Sequence, residues 1–368
     1  MAPERPFPTD PIAAVTFPDP YPFYAELVAR PLYRDEALGL WVATSAEAVT
    51  AVLASDLCRV RPPSEPVPRA LVGSPAGEIF RHLVRMNDGP VHDSCRRAVS
   101  AMLRKIGETQ AAAASRQWAG FLADELPGFH FHLPVYTVAS LLGVPPDGLR
   151  SAAEWMGDLA PALAPASTPE QVERGQAAAR SLLELFRPLY EGDVIVANAI
   201  GLLFQAHDAT AGLIGNALVA LGTHRDVRER VAADPDLLSA VLLEVLRYDP
   251  PVQNTRRFVA RDGVVAGQQM REGEAVLVVL AAANRDPTAN EGPERFDPFR
   301  KERRIFTFGA GVHACPGEAL ALTIARAGVE RLLLDGFDLE RFAATVTYRP
   351  SANVRIPGGL SAGEMPSP

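Results

Sequence analysis

The segment FTFGAGVHACPGEAL, Phe306 to Leu320, places one cysteine among glycines and ends at the head of a long helical pattern. Cys315 is bracketed by Gly309, Gly311 and Gly317, and the apolar residues of GEALALTIARAGVERLLL repeat with helical period. A loop therefore delivers a thiol to a helix N-terminus. Backbone N–H groups in such a place stabilise negative charge, favouring a thiolate and hydrogen-bonding its sulfur. Glycines also let a flat ligand approach the backbone closely, because no Cβ intervenes. The plain alternative for a lone cysteine before a helix is a buried, inert thiol.

The remaining chemistry has to be carried by a chain of 368 residues with 48% hydrophobic residues, enough for a large core. No linker, charge block or composition break divides it, so one domain over 1–368 is expected. A net charge of -8 argues against a nucleic-acid-binding surface. Cys58, Cys95 and Cys315 are odd in number and scattered, which fits a reducing compartment. The proline-rich start, MAPERPFPTDPIAAVTFPDPYPF, lacks the apolar core of a signal peptide, and a cytoplasmic protein without a membrane partner is expected. The longest uninterrupted apolar run, Ala275 to Ala283, is far short of the roughly 20 residues of a spanning helix and reads as a buried strand.

Spacings of three and four dominate from about Val91 to Leu246, with short helices predicted at Tyr21 to Arg30 and Ala46 to Ala54 and a strand at Gly39 to Ala43. Beyond Tyr248 the texture turns to short β-like runs. The fold class expected is mainly α with small β-sheets.

The spacing Phe308, Gly311, Cys315, Gly317, with His313 two residues before the cysteine, resembles the haem-binding signature of the cytochrome P450 family. The resemblance implies a P450-like single domain with haem b (iron protoporphyrin IX), Cys315 as the axial ligand of its iron, Phe308 beside the ring and His313 on a propionate. Gly309, Gly311 and Gly317 shape the loop, and Pro316 stands where the family often has leucine. Glu244 and Arg247 share a helix face, and alone they read as a solvated ion pair. In LLEVLRYDPPV they resemble the family's Glu-x-x-Arg helix, and PERFDP resembles the segment whose arginine, here Arg295, completes a structural triad. His92 and Arg96, in DGPVHDSCRRAVS, resemble the family helix that holds the propionates. Arg257 takes the place of a third contact, with Arg256 its rival. Cys58 and Cys95 read as packing residues.

LLFQAHDATAGLIGNAL, Leu202 to Leu218, is similar to the helix that crosses the distal face of the haem. Asp208 is an acid in an apolar helix, which suits proton delivery. The family's next residue is a threonine; here it is Ala209. Either Thr210 substitutes, or substrate and ordered water supply the hydroxyl. Thr210 lies roughly 100° around the helix, which favours the second unless the helix bulges. The usual Ala-Gly pair is Gln205 and Ala206 here, which implies a narrower groove, and His207 reads as a packing or pocket-wall residue. Between Leu185 and Ile200 the chain is shorter than the family's. The likeness otherwise runs from DPYPFYAEL, through FHLPVYTVASLLGVP, to the helix after Cys315.

The resemblance implies a monooxygenase that inserts one oxygen atom from O2 into a small hydrophobic substrate, with a place in secondary metabolism. The chain carries no flavin or iron–sulfur segment, so electrons are expected from a ferredoxin or flavodoxin with its reductase, docking beneath Cys315 where Arg303 and Arg304 add positive charge. Ala209 also suits a peroxide-driven or bond-forming reaction. A non-catalytic haem sensor conflicts with the acid at Asp208. Expected pocket walls are Val60 to Arg85, Trp155 to Ala166, Gln205 to Thr210 and Val252 to Thr255, mostly apolar or small, and they suit a carrier-protein-bound substrate as well.

Overall fold

The computed structural model describes residues 7–164 and 167–360. In chain order it holds α1 (Tyr21–Val28), β1 (Leu32–Asp35), β2 (Leu40–Ala43), α2 (Ala46–Ala54), β3 (Cys58–Arg59), α3 (Pro75–His82), α4 (Gly89–Lys105), α5 (Glu108–Leu122), α6 (Phe129–Leu141), α7 (Leu149–Ala162) and α8 (Pro169–Phe186). The order continues with α9 (Asp193–Thr223), α10 (Arg225–Ala233), α11 (Leu238–Tyr248), β4 (Thr255–Val259), β5 (Gly263–Val265), β6 (Gln268–Met270), β7 (Ala275–Val278), α12 (Leu280–Asn284), α13 (Glu318–Leu334) and α14 (Leu339–Thr345). The fold is mainly helical with small sheets, as the sequence predicts. Two compact units divide it: Met1–Arg59, Gly215–Cys315 and Glu340–Gly358 form the first, and Val60–Ile214, Pro316–Leu339 and Gly359–Pro368 the second.

The first unit is built on a five-stranded sheet ordered β1-β2-β7-β4-β3, antiparallel except where β2 pairs with β7. The alternation of side chains along β7 explains its central place. Val276 and Val278 pack with Val49, Val52 and Leu53 of α2, while Leu277 joins Tyr24, Leu27 and Val42. Each such burial contributes about 1.5–3 kcal/mol. The apolar run from Ala275 is thus a strand only as far as Val278; its second half turns into α12. A contiguous apolar run carries no period by which strand and buried helix can be told apart.

A buried arginine ties the N-terminal segment to this unit. Arg355 donates to Asp249 at 2.8 Å and to the carbonyls of Val15, Phe17 and Pro18, and the Tyr21 hydroxyl bonds the same carboxylate. Burial and the field of Asp249 push the Tyr21 phenol well above its usual range.

The second unit is helical. Asn198 of α9 accepts from the Val84 N–H at 2.9 Å and donates to the His82 carbonyl at 2.7 Å, pinning the chain between α3 and α4. The head of α8 is closed by a reciprocal pair, Thr168 with Gln171. Close approach of α7 and α8 depends on Gly175, where a Cβ would lie 2.1 Å from the Ala162 Cβ. Gly175→Ala should therefore cost about 1–3 kcal/mol, read as a lower urea midpoint; an unchanged midpoint would show that the helices part freely. Among the described residues α9 is the one helix long and apolar enough to cross a membrane by length and composition, and 61% of its apolar window is buried inside the protein.

Candidate haem-thiolate site

The cysteine loop belongs to the first unit. Thr307 anchors its start, donating to the Leu246 carbonyl at 2.6 Å and accepting from Asn284 at 2.9 Å. The chain then turns through Gly309 and Gly311, whose φ angles of +70° and +66° strain any residue with a Cβ. One helical turn, Gly311–His313, follows, and the Cys315 N–H closes the loop on the Phe308 carbonyl at 2.9 Å. Cys315 is exposed, whereas Cys58 and Cys95 are buried. Burial pushes both of those thiols above the ordinary range, against a Ser55 hydrogen bond at Cys58 and an Asn198 one at Cys95. The presented sulfur, the bare glycine backbone and His313 in the same loop are of a kind that would hold a haem: a sulfur donor, room for a flat ring, and an imidazole able to hydrogen-bond a propionate.

Arg257 lies on the buried side of β4 with 6% exposure, while Arg256 is half-buried on the alternate side. Its Nη1 donates to the Arg256 carbonyl at 2.9 Å. In the second unit, His92 and Arg96 ride on α4, where His92 is buried and Arg96 half-buried. Asp88, before the helix, accepts from the Val60 N–H at 3.0 Å, and Gly89 takes a φ of +61°.

Behind the loop, Glu244 and Arg247 of α11 are fully buried and joined by two hydrogen bonds, at 2.6 and 3.1 Å. The sequence pointed to Arg295 as the completing arginine. Arg300 and Arg303 instead reach the Glu244 carboxylate, at 3.2 and 2.9 Å, and Arg295 takes part through its carbonyl, which accepts from Arg247. A single carboxylate among three guanidiniums needs partners at several angles, and the turn after Pro298 offers them. Arg303 is thus committed to this cluster, donating also to the Pro298 carbonyl, and is not a docking cation. Arg304 bonds Thr50 and lies over the Phe306 ring.

Helix α9 is unbroken through the candidate oxygen-activating residues. Gln205, Ala206, Asp208 and Ala209 are half-buried, whereas His207 and Thr210 are buried, Thr210 to 1%. With no bulge, Thr210 keeps its place around the helix and faces protein. The Gln205 amide folds back onto the Gly201 carbonyl at 3.1 Å. The link between α8 and α9 runs from Phe186 to Asp193. Of the expected pocket walls, Pro165 and Ala166 lie outside the described residues.

Two features of the candidate site escaped sequence reasoning. The arginines at 300 and 303 sit in FRKERR, where nothing in the order of charges singles them out. The contact of His207 with Asp208 joins adjacent helical residues, which spacing rules treat as facing apart.

A family model described as Cytochrome P450 matches residues 190–343. The vitamin D(3) 25-hydroxylase of Pseudonocardia autotrophica is 33% identical over 307 residues, spanning 74% of this chain and 75% of that protein. Protein DesVIII of Streptomyces venezuelae is 31% identical, spanning 95% and 82%. Among solved structures, P450BioI in complex with an acyl carrier protein bearing hexadec-9Z-enoic acid superposes with a TM-score of 0.82 at 25% identity, over 93% of this chain and 97% of that one. The chain belongs to the cytochrome P450 family. It is a haem-thiolate monooxygenase whose cofactor is iron protoporphyrin IX. Members of the family draw electrons from redox partners.

Proposed function

We propose that Cys315 gives its thiolate to the haem iron, and that Asp208 delivers the protons while substrate or ordered water supplies the hydroxyl missing at Ala209. The observation that carries this reading is the loop itself: one cysteine of three is exposed, on a turn held open by two positive-φ glycines. Bound there, the haem supplies dioxygen activation, with an electron-rich sulfur promoting O–O cleavage. His92, Arg96, Arg257 and His313 hold the propionates, and Phe308, Gly309, Gly311 and Gly317 shape the bed. Glu244, Arg247 and the arginines around them keep the loop's support rigid. The protein's own contribution to catalysis is positioning, water exclusion and proton supply.

The two units work as one domain over 1–368, in the cytoplasm, with electrons arriving from a ferredoxin or flavodoxin through its reductase. The substrate is a small hydrophobic molecule or a carrier-protein-bound chain; the half-buried Phe204, Ala206 and Ala209 of α9 favour an apolar body, and P450BioI offers the precedent for a carrier.

The test compares substitutions on one helix. Asp208→Asn should slow oxygen-dependent turnover on a reconstituted redox chain by about 10²-fold, the usual worth of a placed acid. Thr210→Val should leave it within about threefold, since that hydroxyl faces protein. A Thr210→Val loss as large as that of Asp208→Asn would move the proton path to Thr210, and faster turnover with hydrogen peroxide alone than on the redox chain would turn the reading toward peroxide-driven chemistry.

A further inference from the structure

His207 is buried and Asp208, next along α9, is half-buried. Adjacent residues of a helix project about 100° apart and do not ordinarily meet. Here they do: His207 Nδ1 lies 2.8 Å from Asp208 Oδ1. The carboxylate must lean toward the buried side of the helix to make that contact, which selects one rotamer from several. The imidazole is itself held. Phe131 of α6 packs against it with ring centroids 5.1 Å apart and planes at 35°, and Phe131 is packed in turn on His130 at 4.2 Å.

A titratable neighbour of the pair comes from α6. His132 is held below the ordinary imidazole range by burial and by the field of His207, with Glu125, Arg150 and Glu154 also acting on it. A carboxyl that must aim a proton without a neighbouring threonine depends more heavily on its own rotamer. Water and substrate adapt to the acid; they do not orient it.

We propose that His207 is a positioning residue for oxygen activation, donating its Nδ1–H to Asp208 and fixing the carboxyl for proton delivery. This rests on the reading of Asp208 as the proton donor. It goes beyond the expected packing role, because the ring's nitrogen rather than its bulk becomes the functional part.

The experiment uses haem-loaded protein and three variants: Asp208→Asn, His207→Asn and His207→Phe. The asparagine amide offers a donor near the place of Nδ1; phenylalanine keeps a ring and removes the donor. In 15N-histidine-labelled protein, reduced and carbon-monoxide-bound, ring-nitrogen shifts should show the proton on Nδ1 of His207; an unprotonated Nδ1 overturns the proposal. NADH-driven oxygen uptake through a ferredoxin and its reductase should fall about tenfold in His207→Phe, a part of what the acid itself contributes, and stay within about twofold in His207→Asn. Loss in His207→Asn as large as in His207→Phe, or none in His207→Phe, overturns the positioning role while a loss in Asp208→Asn preserves the proton-donor reading. Unchanged uptake in Asp208→Asn removes that reading, and this proposal with it. Should His207→Phe fail to fold, the nitrogen shifts and His207→Asn decide alone.

Discussion

Cys315→Ala should abolish the red-shifted absorbance of the reduced, carbon-monoxide-treated protein and take oxygen-dependent turnover down to background. The expectation follows from where the three sulfurs are placed. A metal ligand must be a thiolate and must be reachable, and burial disfavours the charged form. Cys58 and Cys95 are buried with raised thiol pKa values, so Cys58→Ala and Cys95→Ala should leave the spectrum unchanged. Cys315→Ser separates ligand identity from loop geometry: it preserves the size of the side chain and its hydrogen-bonding capacity but replaces sulfur by a harder, less polarisable donor, so haem is retained in part while the red-shifted band is lost. The measurement is the reduced carbon monoxide difference spectrum alongside total haem content. The same band and the same haem content in Cys315→Ala would transfer the axial ligand to another residue and undo the proposed site.

Much of the candidate site is legible in the sequence, because its parts are local. The glycines, His313 and Cys315 fall within one loop of ten residues, and the turn that closes them is a contact between Phe308 and Cys315. The same locality made Thr210 predictable: one step along a regular helix fixes the direction of a side chain, and its burial follows from that rotation. His92 and Arg96 were legible as a pair on α4 for the same reason.

What stayed hidden depends on chain segments far apart or on the exact path of irregular turns. Arg355 meets the carbonyls of Val15 and Phe17, about as distant in sequence as this chain allows, and no periodicity announces it. Strand β1, Leu32–Asp35, is short and half-exposed, with little apolar alternation to mark it, and it forms by pairing with β2. Arg295 was the natural choice by motif, but a motif fixes positions along the chain and leaves the direction of a long side chain undetermined. In the structure the turn carries Arg300 and Arg303 to Glu244 instead, and brings the Arg295 carbonyl to Arg247.

That substitution of partners gives the second large effect. Glu244→Gln leaves three guanidiniums, those of Arg247, Arg300 and Arg303, around a fully buried neutral amide, and breaking such a cluster from one side costs about 3–5 kcal/mol. A lower urea midpoint and a fall in haem content after purification are the expected readings. Proton binding gives an independent view of the same cluster. Burial works to raise the Glu244 carboxyl, but the hydrogen bonds and field of Arg247, the Asp297 N–H and Arg303 outweigh it and hold the group below the usual carboxylate range. A depressed native pKa contributes stability that is fully present above the unfolded value, about 4.3, and is lost as pH falls through the native one. Wild-type protein should therefore lose stability below about pH 4 more steeply than Glu244→Gln, and the gap between them should narrow in acid. The arginines distinguish the observed arrangement from the motif: Arg300→Ala and Arg303→Ala should each cost about 1.5–3 kcal/mol, the range for a hydrogen bond to a charged group, while Arg295→Ala, whose carbonyl survives the change, should cost less than about 1 kcal/mol. If Arg295→Ala instead matched the other two, the guanidinium of Arg295 would have to reach the cluster in solution, and the assignment of Arg300 and Arg303 as the partners of Glu244 would fail.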